Sequence, residues 1–459
     1  MNTSDRYFPR WEGVNTACAD SIDALPALDE VDVLVVGGGA AGVAAATTAA
    51  ESGLRTLLVE RYGFCGGAAV AGMSGTICGM YLASESRKAP VQVVFGFTER
   101  FRSALWRRGG LTEPQVYGKT WTVTHDPLIW RETADDLLSR AGVRVLFHTV
   151  VTGVVMEGQA YRGVVLESSA GRTVVRAKRI IDASGDASVV ARAGGQYNFG
   201  DDGRIQNPTM FFRLGNVDLA RFLAYWGSDT ICPPAVSEAI RGANVQGRFA
   251  LPREKIWVFP TTRPGELLVN ATRLTAADGR MLNVIDPDDF TVAEVLGRRQ
   301  VREYTSFFAA HIPGCEQAYV VDTGVEAGIR QTRSIVGVET LTTEDVISYR
   351  KRADGICRVP WPIELHAGER PKLHWLLDDY YEVSYLSLVP AQGENIIVAG
   401  RCLSAEHEAL ASARVTAQCF EYGKAAALAA VLSLQHDRPF RLLRGEDVRS
   451  AMVEAGSAL

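Results

Sequence analysis

The chain lacks a paired-cysteine motif, a long apolar run and any excess of basic charge. Its eight cysteines stand at 18, 65, 78, 232, 315, 357, 402 and 419, none of them in a C-x-x-C pair. That scatter argues against an iron–sulfur cluster or a structural zinc, so no metal site is expected. It fits free thiols in a reducing, cytoplasmic compartment. No apolar stretch is long enough to span a bilayer, so no membrane association is expected. The first 30 residues carry Asp5, Arg6, Arg10, Glu12, Asp20 and Asp23 and no apolar signal core, so they read as an extended arm rather than a secretory leader. A net charge of −5 gives no footprint for nucleic acid. Repeats and low-complexity tracts are absent. What remains is an ordinary globular composition, 47% hydrophobic and 22% charged, on 459 residues, enough for two or three domains.

Against that background one stretch stands out. Val31-Asp-Val-Leu-Val-Val36 reads as a buried strand, and Gly37-x-Gly39-x-x-Gly42 follows at once. The alanine-rich segment from Ala40 to Ala50 reads as a helix. Thr56-Leu-Leu-Val-Glu60 reads as a second strand ending in an acid. This order of strand, glycine turn, helix, strand and acid is the unit that binds a dinucleotide. Gly37 permits the turn, Gly39 lets backbone approach a pyrophosphate, and Gly42 lets helix and strand pack closely. The helix start offers unpaired N–H groups to phosphate. Glu60 can accept from a ribose diol.

Further along, residues 97–110 read as an amphipathic helix. Asp126-Pro127 is a helix start, with Asp126 as cap and Pro127 in the first turn, and that helix should run to Gly142. Val143 to Phe147 reads as a strand, then Val150–Met156, Tyr161–Ser168 and Thr173–Ala177 as an antiparallel meander. A separate strand, Arg179 to Asp182, leads into a second glycine turn at Gly185-Asp186. Thr209–Leu214, Lys255–Pro260 and Glu266–Arg273 are aromatic-rich strands of another sheet, with a hairpin turn at Pro264-Gly265. Residues 291–312 are helical in period. Asn395 to Gly400 is another buried strand with a third glycine turn, and Ala411–Leu434 reads as one long helix. Three distant glycine turns imply one nucleotide-binding domain assembled from separated segments. The expected division is 1–200 and 326–459 for that domain, with 201–325 as an inserted substrate domain.

Five blocks resemble the FAD-dependent oxidoreductases related to fumarate reductase flavoproteins and to glutathione-reductase-type folds, within the subgroup called simply FAD-dependent oxidoreductase. They are Val31–Gly42 with Glu60; Gly63-Phe-Cys-Gly-Gly67; Ile181-Asp-Ala-Ser-Gly-Asp186; Gly328–Gly337; and Val398–Ala409 with Ser412-Ala-Arg-Val415. The resemblance implies an α/β, Rossmann-like FAD-binding domain of the glutathione-reductase type built from discontinuous segments, with an inserted α+β substrate domain. It implies FAD as cofactor, a small-molecule substrate and a homo-oligomer as one admissible state. It places Gly37, Gly39, Ala40, Ala41 and Gly42 at the pyrophosphate and Glu60 and Arg61 at the adenosine ribose. Cys65, Gly66, Gly67 and Ala68 would lie along the ribityl chain or the ring, and Val151 at adenine. Ala183, Gly185 and Asp186 would close the pyrophosphate side, and Gly400 and Arg401 the ribityl–phosphate segment. A helix beginning near Ser412, with Arg414 and Val415, would aim its N-terminus at the pyrimidine edge, where reduced flavin carries negative charge.

The chain departs from the family at Tyr385-Leu386, at Glu406-His407-Glu408 and at Ser334. His407, between two acids, is either a proton donor or acceptor at the flavin or a turn-supporting histidine. Arg330 and Arg333, if helical, share a face and clamp an anion; otherwise they make structural ion pairs. Tyr385 is a further candidate at the site, with Trp257, Phe259, Phe211 and Phe212 as a possible apolar lining. The leading expectation is a dehydrogenase or oxidase moving hydride from an activated C–H to flavin N5. The alternatives are a reductase of an activated C=C bond, an NAD(P)H-dependent monooxygenase, or a flavin-fold scaffold without activity. Only one complete G-x-G-x-x-G unit is present, so no dedicated nicotinamide domain is expected.

Overall fold

The computed structural model describes residues 25–366 and 372–459. The expected N-terminal arm falls largely outside them. Walking the chain, β1 (Ala27–Val36), α1 (Ala40–Glu51) and β2 (Thr56–Val59) form the expected opening unit. There follow α2 (Pro127–Ala141), β3 (Arg144–Leu146), β4 (Val150–Glu157), β5 (Ala160–Ser168) and β6 (Gly171–Asp182). Next come β7 (Phe212–Gly215), β8 (Trp257–Pro260), β9 (Leu267–Asn270), α3 (Pro287–His311) and β10 (Tyr319–Thr323). The chain closes through β11 (Ile363–Leu365), β12 (Ile396–Val398), α4 (His407–Ala413) and α5 (Thr416–Gln435).

The core is a parallel sheet. β1 pairs in parallel with β2 and with β6, β2 with β3, and β6 with β12. The meander β4–β5 is attached to the first half of β6 in antiparallel sense. Here the structure corrects the reading: the third meander strand and the strand ending at Asp182 are one element. No turn residue interrupts Ala177-Lys178-Arg179, and one edge of the strand pairs with β1 from Val174 to Asp182 while the other serves β5 and then β12. The C-terminal ends of β1, β2, β6 and β12 therefore open on one side, where a doubly wound sheet binds its ligand.

Helix α1 is buried on almost all sides, which explains its alanine-rich, weakly amphipathic sequence. It lies between the sheet and α5. A methyl group on Gly423 would fall 2.0 Å from the Ala41 carbonyl oxygen, so only glycine permits this approach. α2 starts as expected: the Asp126 carboxylate accepts from Leu128 N–H at 2.8 Å and Ile129 N–H at 3.1 Å.

The second sheet runs β8–β9–β7–β10, antiparallel throughout. Strand alternation splits its residues between two cores. Phe212, Val258 and Val269 pack with Tyr304 and Phe308 of α3. Phe211, Phe259 and Leu268 face the main body instead. The expected single helix over 411–434 is two, α4 and α5, broken at Arg414 and Val415, with Val415 in extended backbone. Buried Ser412 lies in the last turn of α4, donating to the Trp361 carbonyl at 2.5 Å and accepting from Tyr381 at 3.0 Å. Among the described residues no helix is long and apolar enough to cross a membrane.

Candidate active site

Two adjoining spaces open at the C-terminal ends of the parallel strands. The first is a cleft of about 840 Å³, its open mouth included, floored by Gly37, Gly39, Gly66, Gly67, Gly185 and Gly400. Gly37 has φ +98°, and a side chain there would strike the Ala183 carbonyl oxygen at 2.6 Å. The start of α1 points into this cleft. The N–H groups of Ala40, Ala41 and Gly42 have no carbonyl four residues earlier within the helix, which suits a pyrophosphate. Glu60, 5% exposed, accepts from Gly38 N–H at 2.6 Å and Tyr62 N–H at 2.9 Å, and its remaining lone pairs are of the kind a ribose diol would use. The donor set and the glycine floor thus fit a dinucleotide.

Ala40, Ala41, Arg61, Ala68, Ala183, Arg401 and Arg414 also line the cleft. Asp186 stands behind Arg401, accepting from its guanidinium at 2.7 Å and from Thr332 at 2.7 Å. Burial would raise the Asp186 carboxyl, but Arg401, Thr332 and Arg61 together hold it below its usual range. Gly42 packs under the turn, and Val151 is buried in the meander, outside the lining. Cys65 does not line the cleft: it is fully buried behind the loop, its sulfur under Gly38, and burial raises its thiol well above the ordinary value. Ser412 is likewise off the cleft, held in the α4–β11 packing; the helix start aimed at the cleft is Thr416. Tyr62, Ser184, Glu326, Ile329, Ala399 and Cys419 line the cleft without having been singled out. Of these, Glu326 accepts from both Arg61 and Tyr62, a link across 265 positions that no local pattern reveals.

The second space, about 850 Å³ with its mouth, shares Ala68, Ile329, Arg401, Arg414 and Thr416 with the first. Tyr117, Phe211, Phe259 and Trp361 give it aromatic walls, and Arg330, Glu364, His366 and Asn270 its polar groups. Val415 lines this chamber rather than the cleft. Tyr117 donates to Glu364 at 2.7 Å, and His366 Nε2 lies 3.2 Å from the same carboxylate. Burial and nearby Arg330 push the His366 imidazole down, so it is neutral at pH 7. Burial opposes ionisation of Glu364, yet its hydrogen-bond partners and Arg414 hold it below the usual carboxylate range. Burial brings Arg414 down to about 10, still charged at neutral pH.

Three catalytic candidates are sorted by this geometry. Arg330 lies in the chamber. It is not on a helix with Arg333: residues 328–332 are irregular and Arg333 begins a strand, its guanidinium over the Tyr197 ring. His407 is corrected: it sits in a separate recess with Tyr197, Asp201, Glu406 and Glu408, sharing no wall with cleft or chamber. Tyr385 is also corrected: it is fully buried and donates to the Phe440 carbonyl at 2.9 Å. Trp257 and Phe212 stand behind the wall rather than in it. The fold adds His366, which the sequence reading does not include, to the chamber. Its signal was the alternation Glu364-x-His366, which sets both side chains on one face of a strand.

Residues 32–452 match the family described as FAD dependent oxidoreductase. Over 173 residues the chain is 32% identical to thiamine thiazole synthase of Methanococcus vannielii, covering 36% of this chain and 60% of that protein. It is 25% identical over 252 residues to digeranylgeranylglycerophospholipid reductase 1 of Methanococcoides burtonii, covering 50% of this chain and 52% of that one. The chain thus spans less than two thirds of the length of these curated relatives. Among solved structures, p-nitrophenol 4-monooxygenase from Pseudomonas putida aligns with a TM-score of 0.49 at 12% identity, covering 93% of this chain and 86% of that one. The chain belongs to the FAD dependent oxidoreductase family, and it is an enzyme with FAD as cofactor.

Proposed function

We propose that this enzyme is a dehydrogenase or oxidase that takes hydride from an activated C–H bond of a small organic substrate held in the aromatic chamber. The wall common to cleft and chamber carries this reading: Ala68, Ile329, Arg401, Arg414 and Thr416 border both, so a ring at the inner end of the cleft meets the substrate directly. When bound, FAD supplies the hydride acceptor, N5.

In this reading Gly37, Gly39, Ala40 and Ala41 hold the pyrophosphate, Glu60 and Arg61 the ribose, and Gly400 and Arg401 the ribityl–phosphate segment, on a glutathione-reductase-type arrangement. Of the described residues, those before 201 and after 325 form the FAD-binding domain, and 201–325 the inserted domain. The chamber draws Phe211 and Phe259 from the insertion but Tyr117, Trp361 and His366 from outside it. As the C–H bond breaks, its electron pair leaves with the hydride. The proton on the neighbouring heteroatom goes to neutral His366, and Glu364, held by Tyr117, orients the ring and balances the imidazolium that forms. The aromatic walls exclude water.

A second reading, hydride delivery to an activated C=C bond, is favoured by the two curated relatives named as reductases. Anaerobic spectroscopy separates the two. A yellow protein that stays oxidised with NADH and NADPH, and bleaches with a C–H donor from a panel of hydroxy acids, amines and alcohols, is the expected result. Rapid bleaching by NAD(P)H alone moves the assignment to reductase or monooxygenase. Failure of every C–H donor to bleach the protein overturns the proposal.

A further inference from the structure

The chamber is charged in one direction. Arg330 is 8% exposed and enters on an irregular segment. Among the described residues its guanidinium makes one hydrogen bond, from Nη1 to the Asn207 carbonyl at 2.7 Å, leaving most of its five donors without a protein acceptor. Arg253, 5% exposed, lies behind it over the Trp257 ring, its Nη1 on Asn270 at 3.1 Å and its Nη2 buried with no partner. Arg414 donates to Gln206 at 2.9 Å, and its Nε is also buried without a partner. Glu364 is the one carboxylate among the described residues lining the chamber, and His366 beside it is neutral. Arg330 and Arg414 thus line the chamber, with Arg253 buried behind, against one lining carboxylate, while Arg401 on the shared wall is already paired with Asp186. Uncompensated buried charge is strongly unfavourable, and burial together with Arg253 and Arg414 accordingly pushes Arg330 well below its ordinary value.

Guanidiniums with donors left unpaired suit an anionic ligand. The flavin does not account for all of them. Arg401 is paired with Asp186, and Arg401 and Arg414 border both spaces, whereas Arg330 borders only the chamber. We infer that the substrate is an organic carboxylate, its anionic end on Arg330 with Arg253 behind, and its apolar body between Tyr117, Phe211, Phe259 and Trp361. The guanidinium fork matches a carboxylate in two parallel hydrogen bonds. This anchor leaves the far end of the molecule for the Glu364–His366 pair and the shared wall. The inference rests on the reading of the chamber as the substrate site.

The test is calorimetric titration of the FAD-loaded enzyme, with the visible flavin band followed in parallel. The probes are benzoate, phenylacetate and trans-cinnamate, each against its uncharged amide, with inorganic phosphate as a further probe. At least one carboxylate should bind saturably, at least about tenfold tighter than its amide, and perturb the flavin band. Arg330→Gln should remove the preference. Should that variant fail to fold, Arg330→Lys, which keeps the charge but loses the fork, should reduce the preference several-fold. The inference is overturned if no carboxylate outbinds its amide, if the preference survives unchanged in the variant that folds, or if phosphate binds as tightly as every carboxylate. An enzyme that is reduced by a neutral donor and ignores carboxylates sinks this inference alone. One that binds carboxylates but is never reduced by a C–H donor sinks the hydride reading and leaves the anion site standing.

Discussion

The Tyr117 hydroxyl donates to Glu364 at 2.7 Å across 247 positions of sequence, and both groups are buried. This bond ties the antiparallel strands Gln115–Tyr117 and Thr120–Thr124 to β11, and with His366 it makes a three-membered chain ending in the chamber. The chain's order, hydroxyl to carboxylate to imidazole, leaves the histidine as the member able to take a proton.

Replacing His366 by Ala is expected to slow reduction of the enzyme by its substrate by about 10²- to 10⁴-fold, with FAD still bound. Glu364→Gln should give a smaller loss in the same direction, since the ring keeps its position but loses the balancing charge. His407→Ala should leave the rate within about twofold, because its recess touches neither space. Stopped-flow absorbance of the flavin band reads all three. A normal rate in His366→Ala would remove it from the chemistry.

Gly39 separates cofactor binding from folding. Its backbone is extended, φ −68°, and an added methyl meets nothing nearer than Gly67 Cα at 3.8 Å. Gly39→Val should therefore fold with an unchanged melting temperature when stripped of FAD. It should hold FAD at least about tenfold more weakly, because the side chain projects into the proposed pyrophosphate site at the helix start. Equilibrium dialysis with FAD checks this, and full occupancy would move the pyrophosphate elsewhere.

Gly423 tests the opposite case. A side chain there strikes the Ala41 carbonyl at 2.0 Å, so Gly423→Ala must push α5 away from α1. A loss of about 1–3 kcal/mol in denaturant unfolding is expected. Weaker FAD retention should accompany it, since Ala41 on one helix and Thr416 and Cys419 on the other line the cleft. An unchanged midpoint would mean the two helices are not in contact.

His125 predicts a pH dependence. It is 3% exposed, packs at a tilt against Trp130 with ring centroids 4.5 Å apart, and both ring nitrogens are buried without partners. Burial pushes its pKa down to about 4. The unfolded chain takes up this proton near pH 6.5 while the folded chain refuses it until about 4, so the unfolded state binds more protons in between. Stability is then full above about pH 6.5 and falls by about 3 kcal/mol as pH drops to 4. Burial of neutral His366 acts in the same sense. His125→Phe should flatten the slope, and an identical slope in that variant would contradict the assignment.

The sequence by itself determined the opening β1–α1–β2 unit, Glu60 at its end, the Asp126-Pro127 helix start and the parallel core fed by three glycine turns. These are written in consecutive residues: steric limits on backbone at glycine and proline, strand and helix periodicity, and caps one to three residues from what they satisfy. Tertiary structure alone decided the rest. It broke the last helix at Arg414–Val415, set Cys65 behind the loop instead of in the cleft lining, removed His407 and Tyr385 from the site and brought in His366. It also left Arg330 and Arg253 short of anionic partners. The chamber is built from residues 117, 211, 259, 330, 361, 364 and 414, carried in by segments with no local pattern in common. Which of their polar groups meet, and which stay unpaired, depends on long-range packing that no window of sequence contains.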